Sequence, residues 1–114
     1  MGATAAACRL LGLDAERVRM ALGIATSMAA GSRQNFGAMM QAFHSGVAAR
    51  NGVTAALLAQ RGFTADPAIL ESRMGFCNLY GVGTGKLDAA MNALGREFAL
   101  LGPNLYLKLY PCGF

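Results

Sequence analysis

Apolar residues recur at helical spacing along most of the chain and at strand spacing only near its end. Residues 3–11 read as a helix closed by Gly12. Asp14 then stands as the N-cap of a second helix, with Glu16 in its positive first turn. Val18, Ala21, Leu22, Ala25, Met28 and Ala29 recur at spacings of three and four, one apolar stripe, and Gly31 predicts the stop. A polar turn over 32–35 leads through Phe36-Gly37 into a third helix predicted over 43–61, with Val47, Leu57 and Leu58 on its apolar side. Asp66-Pro67, an N-cap followed by proline at the first helical position, predicts a short helix over 68–73. A glycine-rich stretch at 81–85 precedes a weaker helix over 86–94. Residues 104–110 set Leu105, Leu107 and Leu109 against Tyr106, Lys108 and Tyr110, the period-two pattern of a strand that Pro111 ends.

The fold class that follows is mainly α. Residues 1–103 are expected to be part of an all-helical domain, and 104–114 to begin a short β-strand leading into a second domain that is absent here. A lone strand cannot satisfy its own backbone groups, so its pairing partner is expected outside this chain, and both ends read as cut through a larger protein.

Composition sharpens this picture. The 114 residues include 22 Ala, 15 Leu and 15 Gly against four Val and two Ile, which favours helix and excludes an all-β fold. Charged residues make up only 14% against 54% hydrophobic, so part of the surface is expected to face another polypeptide rather than water. The net charge of +4 comes from scattered residues, eight of ten being Arg, which suits a small anionic ligand at least as well as nucleic acid. Cys8, Cys77 and Cys112 are widely spaced and odd in number, neither a disulfide framework nor a metal signature; with one His in the chain, no metal site is expected and the compartment reads as reducing and cytoplasmic. No apolar run is long enough to span a membrane, and Gly81, Gly83 and Gly85 lack the Walker spacing of a nucleotide loop.

The runs LLGLDAERVRMALGIATSMAAGSRQNFGAMMQAFHSG and AARNGVTAALLAQRGFTADPAILESRMGF, from Leu10 towards Tyr80, resemble the MmgE/PrpD family. The family's own run has a helix ending in ALGIA, an Arg-x-x-Phe-Gly turn, a Lys-Pro-Leu-His-Ala-Gly stretch, then AALLA-x-x-GFT and ILEG-x-x-GF. Lys108-Leu109-Tyr110-Pro111-Cys112 is similar to the family's Lys-Pro-Tyr-Pro-Cys. The resemblance implies a lyase of the 2-methylcitrate dehydratase (propionate catabolism) or cis-aconitate decarboxylase kind, acting without metal or cofactor on small di- or tricarboxylic acids. It further implies a helical domain followed by an α+β domain. This chain resembles only the later part of the first and the junction to the second, without the upstream segment that supplies the family's Asp, Thr and His groups.

Four residues follow from the resemblance. His44 falls on the family's His after the Lys-Pro-Leu triplet, and Lys108 on a family lysine next to the pocket; these are the candidate catalytic residues. Arg33, in the polar turn, and Gln41, where many members carry a pocket Lys, are the candidate substrate-binding residues. Gln hydrogen-bonds but neither carries charge nor moves a proton at neutral pH. Each has a plain structural alternative: a backbone-bonded His near a helix start, a solvated edge Lys and a surface Arg. The expected partners are a small carboxylic acid for a completed chain, and either a second copy or the absent domain, with no nucleic acid and no membrane. The rival reading is a non-catalytic helical interaction module or a gene remnant.

Overall fold

The computed structural model describes residues 1–80, 85–102 and 107–110. Five α-helices run in order: α1 (Gly2–Leu10), α2 (Ala15–Ser27), α3 (Met39–Gln60), α4 (Phe76–Leu79) and α5 (Gly85–Ala93), with short 3-10 turns at Arg33–Asn35 and Ala99–Leu101. α2 starts where expected: the Asp14 carboxylate accepts from the Arg17 N–H at 2.8 Å, satisfying a donor that has no partner within the helix.

The core is built from α1, α2 and α3 packed on one another, and it is made of small side chains. Ala21, Ala55 and Ala56 are each 0% exposed, with Cys8, Ile24, Ala25 and Ala59 around them. Gly52 shows how close the helices come. A Cβ there would lie 2.7 Å from the Ala3 Cβ and 2.8 Å from the Thr4 backbone nitrogen, so α3 meets α1 backbone to backbone. Burial pushes the Cys8 thiol up, which keeps it protonated and unreactive at neutral pH.

Three expectations are corrected. The third helix begins at Met39, four residues before the expected 43, because Gln41 caps its first turn as described below. The second ends at Ser27 rather than at Gly31, its C-cap being Met28. Residues 68–73 form turns, not a helix. Asp66 starts the segment as expected, accepting from the Ala68 N–H at 2.8 Å. The carbonyls of Ile69 and Leu70 are then taken by the N–H groups of Phe76 and Cys77, at 2.8 and 3.1 Å. The chain thus folds over on itself instead of propagating the i to i+4 ladder, and α4 forms on the far side. The helix expected over 86–94 is present as α5. No strand occurs among the described residues: 107–110 is irregular, and the remainder of the expected strand lies outside them. A strand needs a ladder partner, and the described residues offer none.

Two glycines of α3 should respond oppositely to alanine. Gly52→Ala forces two backbones apart and should destabilise by about 1–3 kcal/mol. Gly46→Ala adds a Cβ into open space in a helix interior and should stabilise by about 0.5–1 kcal/mol. Urea unfolding of both variants, read by far-UV circular dichroism, measures the two signs.

Candidate functional site

The connection between α2 and α3 gathers three of the four expected site residues. After the Met28 cap the chain passes without regular structure through Ala29–Gly31 and enters the Arg33–Asn35 turn, which rests against α3. Ser32 caps that turn, its hydroxyl accepting from the Gln34 N–H at 3.3 Å. The Arg33 guanidinium lies over the Phe36 ring, 5.7 Å from the centroid, and both side chains are exposed. A stacked guanidinium keeps its donor edge available for a carboxylate.

Gln41 sits at the third position of α3 and turns back on the loop: its Oε1 accepts from the Gly37 N–H at 2.9 Å. Ala38, the N-cap, has no side chain to offer, so Gln41 closes the entry in the manner of the reciprocal half of a capping box, one residue further out. The glutamine therefore has a structural use that a lysine, which has no acceptor, cannot fill.

His44 lies one turn further along the same face of α3 and is half-buried. Its imidazole lies beside Gly31: a Cβ added to that glycine would meet His44 Nδ1 in ordinary van der Waals contact, at 3.6 Å. Gly31 has φ +154°, a backbone region that L side chains rarely adopt. Two side chains hold the segment that carries this glycine. Asn51, two turns along α3 from His44, donates from Nδ2 to the Met28 carbonyl at 3.0 Å. Tyr80, just after α4, donates from its hydroxyl to the Ala29 carbonyl at 2.8 Å, across 51 residues of sequence. A small cavity of about 160 Å³ adjoins this strap, lined among others by Thr4, Met28, Ala29, Val47 and Asn51.

Lys108 belongs to the exposed segment 107–110, outside the α2–α3 connection. Asn51 and Tyr80 were not among the expected residues. Each carries a signal in hindsight: Asn51 is an amide next to Gly52, on the stretch of α3 that meets the core, and Tyr80 stands four residues after Phe76, with ring centroids 4.7 Å apart. Among the described residues no three metal-ligating side chains converge, and no helix is long and apolar enough to cross a membrane.

Residues 1–86, which include the three helices and the connection that carries Arg33, match the MmgE/PrpD N-terminal domain, and the chain belongs to that family. Its relatives include cis-aconitate decarboxylase from Homo sapiens, 36% identical over 80 residues, which covers 70% of this chain and 17% of the human protein. The cis-aconitate decarboxylase of Aspergillus terreus is 35% identical over 111 residues, 91% of this chain and 22% of the fungal one. A cis-aconitate decarboxylase-like protein of Aspergillus oryzae is 32% identical over 117 residues, 96% of this chain and 24% of that protein. The chain thus spans less than a quarter of the length of these curated relatives.

Gln41→Ala removes one exposed capping bond and should cost about 0.5–1 kcal/mol, whereas Gln41→Glu keeps the acceptor and should restore stability. Thermal unfolding of the two variants beside the parent chain measures the difference.

Proposed function

We propose that this chain supplies one wall of the substrate pocket in a lyase that removes carbon dioxide or water from a small di- or tricarboxylic acid. Decarboxylation of the cis-aconitate type is favoured over 2-methylcitrate dehydration because the relatives above carry that activity in their names. The observation that supports the reading most is the place of His44, which by resemblance falls on the family's His, beside the glycine of a segment whose Met28 and Ala29 carbonyls are held by Asn51 and Tyr80.

His44 is the acid–base candidate, since imidazole is the side chain whose ordinary titration falls near neutral pH. Arg33 offers a planar, permanently charged fork to a substrate carboxylate. Gln41 has an amide group that donates neutral hydrogen bonds, and Lys108 is proposed to reach the same pocket from the junction segment. Stabilising the enolate-like charge needs donors on both sides of the substrate, so residues 1–103 act here as part of the helical domain. In this reading residues 104–114 lead towards the α+β domain that completes the site. A reducing, cytoplasmic setting fits the buried, unbridged Cys8 and Cys77.

One chimera tests this reading. The remaining segments would come from a cis-aconitate decarboxylase that carries Lys at the position of Gln41. Completed in this way, the chain should turn over cis-aconitate and lose that activity on His44→Ala, while the 114-residue chain alone should not turn it over. Gln41→Lys in the chimera should raise kcat/KM by tens to hundreds of fold, since a charged donor in a desolvated carboxylate pocket is worth about 2–4 kcal/mol. Equal rates for the two chimeras, both checked for folding, would remove Gln41 from the pocket.

A specific feature supports the second reading, a non-catalytic helical module that associates with another chain. α3 buries Gly52, Ala55, Ala56 and Ala59 on one side, yet its other side is apolar too. Met39, Phe43, Val53 and Leu57, at spacings of four, ten and four, are 95%, 57%, 47% and 37% exposed, and Arg50 is the helix's one charged residue. A helix apolar all round is normally covered all round. Association with a second copy or with the absent domain should therefore run through this stripe. Self-association at micromolar concentration, measured by light scattering, should be reduced by Val53→Asp with Leu57→Asp. A compact monomer across that range in the parent chain would contradict it.

A further inference from the structure

The strap between α2 and α3 has a feature that the proposed chemistry does not require. Two of its successive backbone carbonyls are held by side chains from different parts of the chain. Asn51 belongs to α3, the helix that carries His44 itself. Tyr80 ends the stretch 63–80, whose Ala65 and Ile69 pack on Gly23 of α2. That docking is tight: a Cβ on Gly23 would lie 2.6 Å from the Ala65 Cβ and 3.7 Å from Ile69 Cγ2. Phe76 stacks at a tilt on the Tyr80 ring, 41° between planes, which fixes the direction of the phenol. The hydroxyl then reaches Ala29, two residues before the glycine beside which His44 lies.

We propose that Tyr80 is a positioning residue for His44. It acts through the strap: the phenol fixes the Ala29 carbonyl, Ala29 fixes the path of Gly31, and Gly31 forms the surface that sets the imidazole's orientation. Asn51 fixes the start of the same strap at Met28. With both bonds made, the strap is held at two successive carbonyls, and the ring of His44 has one seat. The proposal rests on His44 being the pocket residue, but it concerns where the ring sits rather than whether turnover occurs.

His44 is the chain's sole histidine, so its imidazole gives one isolated set of NMR signals. In the 114-residue chain at fixed pH, a nuclear Overhauser contact should join the His44 ring protons to the Gly31 α-protons. Tyr80→Phe keeps the aromatic pair and removes only the hydroxyl. It should at least halve that contact and move the His44 ring resonances, with amide shifts of the Ala55–Ala59 core unchanged. Asn51→Ala should act in the same direction and carries the test should Tyr80→Phe not fold. Asn78→Ala is the control, because Asn78 donates to the Ser72 carbonyl at 3.0 Å within the same segment and does not touch the strap. It should leave His44 unmoved. Unchanged His44 signals in Tyr80→Phe, an equal change in Asn78→Ala, or no ring-to-Gly31 contact in the parent chain would each overturn the proposal. Unchanged His44 signals in Tyr80→Phe with the ring-to-Gly31 contact present in the parent chain would fail this proposal alone and leave the lyase reading standing, and an inactive chimera leaves this one standing.

Discussion

The close approach of α1, α2 and α3 over alanine and glycine is the constraint on which the remaining geometry depends. Helix axes come this near only where side chains are a methyl group or less, and the seam supplies Ala21, Ala55, Ala56, Ala59 and Gly52. Gly52 fixes α3 against the backbone of α1. Its neighbour Asn51 is thereby set where its amide meets the last carbonyl of the α2 cap. The site is in this sense a by-product of packing. Dispersion and area burial place the helices, and hydrogen bonds, worth only about 1 kcal/mol each, then select one path for the loop between them.

That division of labour bears on function. A group that moves protons must be held to within a fraction of an ångström, and loops seldom achieve this unaided. Here the loop is borrowed rigidity: one anchor from α3, one from Tyr80, and a glutamine folded back over the Gly37 N–H at the helix entry. Gln41 illustrates the trade-off. Its carbonyl closes the cap and stabilises the entry, and the same position held by lysine would offer charge to a carboxylate at the expense of that bond. A helix entry closed in this way favours a well-ordered wall over a strongly charged one.

Much of the helical architecture was legible in the sequence because it rests on local chemistry. Asp14 followed by acidic Glu16 marks the start of α2, and the three-and-four spacing from Val18 marks its buried side, both visible without tertiary information. Asp66-Pro67 marked a start correctly but not what followed, since the carbonyls of Ile69 and Leu70 find donors seven residues ahead, a choice made by docking on α2 rather than by propensity. The early start of α3 was hidden for a similar reason: Ala38 is a poor cap, and the compensating acceptor lies three residues later on a side chain read for its chemistry. Of the site, His44, Arg33 and Gln41 were reached through resemblance and are brought to one connection by the fold. Asn51 and Tyr80 were not, because their partners are backbone carbonyls 23 and 51 residues away, and sequence patterns carry no record of such pairs.

Native-state hydrogen exchange, resolved by residue, tests the central claim most directly, which is that the small-residue seam is the rigid base from which the strap and His44 are placed. The account predicts that the amides of Ala25, Ala55, Ala56 and Ala59 exchange slowest. The Ala29 amide, which donates to the Thr26 carbonyl at 3.2 Å, should follow them more closely than the amides of α5, which should exchange faster than the seam by at least about tenfold. Seam and strap amides exchanging as fast as those of α5 would mean that the helices are not locked at Gly52 and Ala55, and the account would fail at its base.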